Sequence, residues 1–207
     1  VANASRAQNS FGYVRSAGRS GTAYAIYRSF LQFDTSGITS TVSSATLKIQ
    51  GYVNGNADII IVKSSAFGSG YEGSTLSTAD YDAITGFTDD QDMNGNVTDY
   101  SSEITTWSTS GYNDITLNST ALTDMQNDNA FKIAIINHDH DYKNVDPGIN
   151  ATNAGGMYFE AYTGTETDPI IEYTLAGYGN DVIGVASSNI AKVIGIATGD
   201  IEKIIGI

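Results

Sequence analysis

Short apolar segments bounded by turn residues recur through the middle of the chain and leave little room for long helices. Residues Ser44–Val53 alternate, with Ala45, Leu47, Ile49 and Gly51 on one face, which is the period of a half-buried β-strand. The 22 glycines and 13 tyrosines among 207 residues are typical of a turn-rich β protein. Further strands are predicted at Ala23–Phe33, Asp58–Ser64, Asn113–Leu117, Phe131–Asn137, Met157–Ala161 and Ile170–Leu175.

The connections between these strands carry the turn and helix signals. Asn54-Gly55 is a hairpin-type dipeptide, which predicts that the strand before it folds back on the strand after it. Ser77–Ile84 and Asn118–Asp128 predict short capped helices. Because strands and helices do not alternate as in βαβ units, we expect an all-β fold, an antiparallel β-sandwich of the jelly-roll type with two or three short helices in its connections.

Residues Val182–Ile207 contain an eleven-residue repeat: VIGVASSNIAK, then VIGIATGDIEK, then a truncated IIGI. Stacked repeats usually need about three or more copies to bury their own apolar face, and this tail has little more than two. We therefore expect the tail to bind a partner surface on another copy of the chain. The side chains predicted to make this contact are Val182, Ile183, Val185, Ile190, Val193, Ile194, Ile196, Ile201, Ile204, Ile205 and Ile207.

Two ordered conformations remain open for this repeat tail. The apolar VIGIA followed by polar TGDIEK favours a short strand and a turn, because β-branched residues prefer strands and glycine weakens helices. A period of eleven is also that of a hendecad helix, in which one face would hold Val193, Ile194, Ile196, Ala197 and Ile201. A disordered linker is the third interpretation, although linkers are rarely so aliphatic.

Charge is distributed unevenly along the chain. The net charge of −13 argues against a nucleic-acid partner. Every arginine lies within the first 28 residues, and no acidic residue precedes Asp34. This asymmetry favours head-to-tail association through Arg6, Arg15 and Arg19, unless these arginines pair within their own domain. The sequence thus divides into a basic arm (residues 1–22), a sandwich domain (23–176) and a hinge with the repeat tail (177–207).

Several classes of protein are disfavoured. No run of about 18 apolar residues occurs, so no membrane span is predicted. The absence of cysteine excludes a disulfide framework and thiol catalysis. The sequence has no G-x-S-x-G elbow, HExxH, P-loop or dinucleotide fingerprint, and we predict that the chain is not an enzyme. It begins at Val1, as expected of a processed or incompletely observed form.

An acidic loop provides the first candidate metal site, for a calcium ion. Oxygen-bearing side chains at alternate positions before Gly95 match the first half of a calcium-binding loop. The second half does not match, because the twelfth position is Ser101 and Glu103 comes two residues later. A solvated acidic turn is the alternative. The candidate calcium ligands are Asp90, Asp92, Asn94 and Asn96.

The segment His138-Asp139-His140-Asp141 provides a second candidate. On an extended segment alternate side chains point to one side, so that His138 and His140 could hold a transition metal together. A catalytic zinc site typically needs a third protein ligand, which the sequence does not identify. A polar loop after a core strand is the alternative interpretation.

Four glycosylation sequons occur, at Asn3, Asn96, Asn118 and Asn150. A chain this rich in Asn, Ser and Thr contains about three by chance, so the sequons are compatible with surface glycans without indicating them.

Several stretches resemble a known family. RSFLQFDTSGI (Arg28–Ile38) and SSATLKI (Ser43–Ile49) resemble the opening strands of DNRLRE-type jelly-roll domains. Asn113–Ile136 resembles their strand–helix–strand block, and TDPIIEYTL (Thr167–Leu175) their closing strand. The resemblance implies an extracellular β-sandwich, often an appendage of larger surface proteins and sometimes a carbohydrate-binding module. The repeat tail resembles glycine-punctuated repeats of phage and environmental structural proteins.

The repeat tail and the basic arm predict a structural protein. We expect the repeating subunit of an extracellular filament or fibre, which polymerises with itself by adding a strand to the neighbouring subunit. Two alternatives remain open. One is a carbohydrate-binding module of a surface protein, which would bind a surface polysaccharide through an exposed aromatic strip. The other is a component of a phage virion or tail fibre.

Overall fold

The computed structural model of the protein describes residues 12–19, 23–71, 75–88, 91–147, 156–159, 168–177, 192–193 and 196–197. Within these ranges the chain is mostly β-structure, and two antiparallel sheets pack against each other with few helices between their strands. The predicted all-β sandwich is confirmed. The strands in chain order are β1 (Gly12–Arg19), β2 (Ala23–Tyr27), β3 (Ser29–Asp34), β4 (Val42–Asn56), β5 (Ile59–Lys63), β6 (Tyr112–Thr116), β7 (Ala130–Asn137), β8 (Gly156–Phe159), β9 (Ile170–Leu175), β10 (Lys192–Val193) and β11 (Ile196–Ala197).

The larger sheet is built around β4. Its strand order is β2-β1-β8-β4-β6, and β9 also pairs with β4. Thr46 of β4 pairs with both β6 and β9, so these two strands lie on opposite sides of β4. The predicted alternation is observed, since Ala45, Leu47 and Ile49 are buried while Thr46 and Lys48 are partly exposed. The buried side chains form the inner face of this sheet.

In the smaller sheet, with the order β3-β7-β5, the strands β5 and β7 are buried on both faces, whereas β3 is partly exposed. Alternate side chains of a strand point to opposite faces, so an apolar run without alternation indicates two covered faces. One face packs into the sandwich core, and the other packs against a second cluster that includes Ile84, Met93 and Tyr142. The core-facing residues of β5 and β7 are Ile59, Ile61, Phe131, Ile133 and Ile135, and those of the opposite face are Ile60, Val62, Ala134 and Ile136.

The helix α1 (Ser119–Asn127) begins where the sequence predicts. Asn118 caps it, because its Oδ1 accepts a hydrogen bond of 3.0 Å from the backbone N–H of Ala121. Ala121 and Met125 are buried in the sandwich core. No helix within the described ranges is long and apolar enough to cross a membrane.

The helix predicted at Ser77–Ile84 is shorter in the structure, a 3₁₀ helix over Thr78–Asp82. The Asp80 carboxylate accepts a hydrogen bond of 2.7 Å from the backbone N–H of Ser77, which fixes its start. Ile84 then bridges to Ser64 and joins the second apolar cluster, which ends the helix.

Two predictions about strand connections are wrong. Ala23–Phe33 is not one strand, because the chain crosses from β2 in the larger sheet to β3 in the smaller sheet at Arg28. Asn54-Gly55 is not a hairpin turn, because β4 continues through it and Gly55 pairs with Met157 of β8. Pairing with β8 keeps this dipeptide extended, and such a tertiary contact overrides a local turn preference.

The crossing between the sheets is held by a buried ion pair. Arg28 Nε and Nη2 donate to the two carboxylate oxygens of Asp141 at 2.9 and 2.8 Å. The side chains of Arg28 and Asp141 are only 4% and 5% exposed. The guanidinium carbon also lies 4.4 and 4.5 Å from the ring centroids of Tyr81 and Phe87. This arginine therefore pairs within its own domain.

Replacing Arg28 with Met is expected to lower the free energy of unfolding by about 3–5 kcal/mol, because Asp141 would stay buried without its cation. Urea unfolding followed by circular dichroism measures the change. The Arg28→Met/Asp141→Leu double variant should recover much of the loss. Lys48→Met is a matched control expected to lose less than about 1 kcal/mol, since its partners Asp114 and Glu172 are 64% and 62% exposed. An equal loss in Arg28→Met and Lys48→Met would contradict the role of the buried pair.

Candidate functional site

The strand β9 exposes apolar side chains on the face of the sheet that is usually covered by the core of a sandwich. Ile171 of β9 packs against the core, so Tyr173 and Leu175 point to the same face of the sheet. Yet Tyr173 and Leu175 are 46% and 39% exposed. Within the described ranges β9 pairs with β4 and with no other strand, so its second edge carries no strand there. Among the described residues, β9 thus presents both an edge without a partner strand and exposed apolar side chains.

The described part of the repeat tail is extended. Lys192–Val193 and Ile196–Ala197 are the short strands β10 and β11, so these four residues are extended. VIGIA is not the single strand that the strand alternative predicts, because Val193 pairs antiparallel with Ile196. Of the predicted assembly residues, Val193 and Ile196 lie in these strands, and Arg15 and Arg19 lie in β1, which pairs with β2 and β8. The other predicted assembly residues lie outside the described ranges: Arg6, Val182, Ile183, Val185, Ile190, Ile194, Ile201, Ile204, Ile205 and Ile207.

In the acidic loop, the described candidate calcium ligands stabilise a turn. Asp92 Oδ1 accepts a hydrogen bond of 2.8 Å from the backbone N–H of Asn94. Asn96 Nδ2 donates to the backbone carbonyl of Asp92 at 2.7 Å. Asp90 lies outside the described ranges. The calcium site stays a prediction.

The sequons differ in their surroundings. Asn118 is partly buried, and its Nδ2 donates to the backbone carbonyl of Asp99 at 2.7 Å while its Oδ1 caps α1. A glycan on this nitrogen would disturb the cap, so the structure does not favour Asn118 as a glycan site. Asn96 is exposed, and Asn3 and Asn150 lie outside the described ranges.

The segment after β7 forms one π-helical turn, His138–Tyr142, instead of an extended loop. Asn137 Oδ1 accepts a hydrogen bond of 2.7 Å from the backbone N–H of His140 at the start of this turn. The prediction that His138 and His140 share one face of an extended segment is therefore wrong. The His138 ring stacks on Tyr142 with centroids 5.3 Å apart, whereas His140 Nδ1 lies 2.9 Å from the backbone oxygen of Val145.

His138 belongs to a cluster with three carboxylates that come from separate parts of the chain. Its Nδ1 lies 3.3 Å from Asp139 Oδ1, 3.4 Å from Glu103 Oε1 and 3.9 Å from Asp58 Oδ1. The four potential ligand atoms all lie within 4.8 Å of one another. We call these residues the His138 cluster.

Backbone pairing places each member of the His138 cluster. β5 and β7 are antiparallel, with Ile59 opposite Asn137, so the residue before β5 lies beside the residue after β7. The backbone N–H of His138 donates to the Asp58 carbonyl at 2.9 Å. The bridge between Ile59 and Ile104 places Glu103 next to them. The cluster is thus fixed by the end of the smaller sheet.

The cluster concentrates negative charge in a partly buried place. His138 Nδ1 and Asp58 Oδ1 are both buried and make no hydrogen bond. Burial raises the pKa of Asp58, and this effect outweighs the hydrogen bond that its Oδ2 accepts from Asn137 Nδ2. The pKa of Asp139 is lowered, mainly by the hydrogen bond of 3.0 Å that Lys143 Nζ donates to its Oδ1.

Sequence reasoning had singled out His138 and Asp139 but had not linked them to Asp58 and Glu103. The signal for Asp58 was present, since it directly precedes one buried apolar strand and His138 directly follows another. If these two strands are taken as an antiparallel pair, Asp58 and His138 lie side by side. Glu103 has no comparable signal, because it lies in an irregular segment that meets β5 at one bridge.

Comparison of the sequence with models of known protein families, with curated proteins and with solved structures finds no match. The resemblance to DNRLRE-type domains and to glycine-punctuated repeats therefore stays a prediction, and the fold described above follows from the chain's own strand pairing.

The first prediction for the cluster concerns protein that a chelator has freed of any bound metal ion. Its free energy of unfolding is expected to fall less steeply with rising pH in Asp58→Asn than in wild type. The carboxyl of the folded state has a raised pKa, so the folded chain holds its proton longer than the unfolded chain. Stability therefore falls as pH rises above the ordinary carboxyl value of 3.8, and the Asn variant lacks this contribution. Urea unfolding from pH 3 to pH 8 measures the difference from wild type. Asp114→Asn, at an exposed carboxylate, is the control, and an identical pH dependence of wild type and Asp58→Asn would refute the assignment.

Proposed function

We propose that the protein is the structural subunit of an extracellular filament, in which the repeat tail of one copy adds as a strand to β9 of the next copy. The observation that carries this proposal is the exposed apolar edge at β9. A free strand edge is a template for pairing with another chain, and natural proteins usually protect such edges.

The sequence of β9 lacks the usual protection. Edge strands are commonly blunted by lysine, proline or inward-pointing charges. β9, with the sequence IIEYTL, has one charged residue, Glu172, whose carboxylate pairs with Lys48 of β4 at 3.3 Å. The side chains of Ile170, Tyr173 and Leu175 are exposed instead. An edge of this composition suits an apolar partner strand.

The repeat tail has the composition of that partner. Its large side chains are aliphatic and β-branched, and the part that is described, β10 and β11, is extended. Strand addition would combine main-chain hydrogen bonds with side-chain contacts to the exposed Tyr173 and Leu175. Burial of half of the tail's aliphatic side chains contributes on the order of 10 kcal/mol before the entropy loss of ordering is subtracted.

The geometry of such a contact is head-to-tail. The tail and β9 are different surfaces of the chain, so their contact is heterologous, and two joined subunits keep one unused tail and one unused β9 edge for further subunits. Contacts of this kind generate open filaments unless the rotation between subunits closes a ring. The tail also follows β9 in sequence, and an intramolecular return onto its own β9 is the competing arrangement.

Purified full-length chain is expected to form fibres in negative-stain images and to sediment as a polymer, whereas a chain ending at Gly177 stays monomeric. Tyr173→Lys in β9 should reduce fibre formation as truncation does, because lysine at a strand edge opposes pairing. Tyr71→Lys is the matched control, since Tyr71 is as exposed as Tyr173, at 45% against 46%.

Three results would count against the proposal. Fibres from the truncated chain would exclude the tail, and fibres from Tyr173→Lys at the wild-type level would exclude β9 as the acceptor. A full-length chain that stays monomeric at all concentrations would indicate the intramolecular arrangement. Retention of that monomer on a polysaccharide column would then favour the carbohydrate-binding alternative.

A further inference from the structure

We infer that the His138 cluster is a binding site for one divalent transition-metal ion, with Zn²⁺ the ion that fits it best. The ligands would be His138 Nδ1 and one carboxylate oxygen each from Asp58, Glu103 and Asp139. The inference does not depend on filament assembly, because the cluster lies at the end of the smaller sheet and β9 belongs to the larger one.

The decisive observation is the state of His138. Its side chain is only 10% exposed, and its Nδ1 is buried, makes no hydrogen bond and faces three carboxylates. A buried polar atom without a partner is unfavourable by roughly 1–3 kcal/mol, and native proteins rarely keep one without a reason. Asp58 Oδ1 is buried and unpartnered as well, at 3.9 Å from Nδ1. A cation between these two atoms would satisfy both.

The distances from His138 Nδ1 to the three carboxylate oxygens are close to those of a tetrahedral zinc site. Zinc bonds to imidazole nitrogen and carboxylate oxygen are about 2.1 Å long, so that two ligand atoms of a tetrahedron lie about 3.4 Å apart. The distances from His138 Nδ1 to Asp139 and Glu103 are 3.3 and 3.4 Å. The distance to Asp58 is 3.9 Å, and a small rotation of the carboxylate closes it. The arrangement around His138 Nδ1 is therefore close to that of a zinc site, and all four ligand atoms lie within 4.8 Å of one another.

The donor set and the charge agree with this ion. Calcium and magnesium prefer an all-oxygen shell, whereas an imidazole among carboxylates suits zinc and its neighbours in the first transition row. Three carboxylates outweigh a divalent ion by one negative charge, and the Lys143 ammonium, 3.0 Å from Asp139 Oδ1, balances that charge. Asn137 Nδ2 holds the other oxygen of Asp58 at 2.9 Å and so orients it.

The position of the site shows what the ion would do and how it would enter. Glu103 and Asp139 have side chains that are 38% and 52% exposed, so the cluster opens to solvent on their side. The bound ion would join the residue before β5, the irregular segment around Glu103 and the π-helical turn. These segments are also joined by backbone hydrogen bonds, by the bridge at Ile104 and by the hydrogen bonds that Asn137 Nδ2 donates to Asp58. The ion would thus cross-link this end of the sandwich.

Isothermal titration of the full-length, chelator-treated protein with zinc chloride is expected to show one saturable site. Titration with cobalt chloride should give the intense visible absorption of tetrahedral Co²⁺. His138→Gln and Glu103→Gln should each weaken zinc binding at least about 100-fold, since they remove ligands. Glu103 is exposed enough that its variant is expected to fold normally, which circular dichroism checks.

His140→Gln is the matched control, because His140 is the only other histidine of the chain and its Nδ1 lies 2.9 Å from the backbone oxygen of Val145, outside the cluster. It should bind zinc as wild type does. Lys143→Gln should raise the affinity about fivefold, because it removes a positive charge beside the ion, while Lys48→Gln should not.

Absence of saturable zinc binding would overturn the inference. So would zinc binding that His138→Gln leaves unchanged, or calcium binding as tight as zinc binding. Loss of binding in His140→Gln, with none in His138→Gln, would place the ion elsewhere.

Discussion

The pairing of β5 with β7 is the contact on which most of the structure depends. The two strands supply apolar side chains to both faces of the smaller sheet, so this one pairing joins the sandwich core to the second apolar cluster. Both strands are almost fully buried, and separating them would expose unpaired backbone groups together with two apolar layers. The same pairing places Asp58 beside His138.

A structural element could be predicted from the sequence when residues close to it in the chain determine it. Alternation in β4, the apolar runs of β5 and β7, and the Asn118 cap are local signals, and each was predicted. The continuation of β4 through Asn54-Gly55 was missed because pairing with β8, more than one hundred residues away, holds it. The break at Arg28 was missed for the same reason, since its partner Asp141 lies in the π-helical turn.

The His138 cluster shows the same division between local and distant causes. The residues His138 to Asp141 were recognisable as potential ligands by type, but their geometry was predicted for an extended segment. The π-helical turn separates the two histidines, and its start depends on Asn137, whose amide bonds both to His140 and to Asp58. The set of ligands therefore became apparent only when strand pairing and turn geometry were both known.

β9 and the His138 cluster each depart from a rule that most of the described structure obeys. At β9 an apolar edge is exposed, and at Asp58 and His138 polar atoms are buried without partners. Neither departure stabilises an isolated subunit, since one leaves apolar area in water and the other leaves charge uncompensated. Such departures mark functional sites more often than accidents. The exposed edge of β9 would be covered by an added strand, whereas the His138 cluster would be neutralised by a cation. They also lie in different sheets, so each can be satisfied without the other.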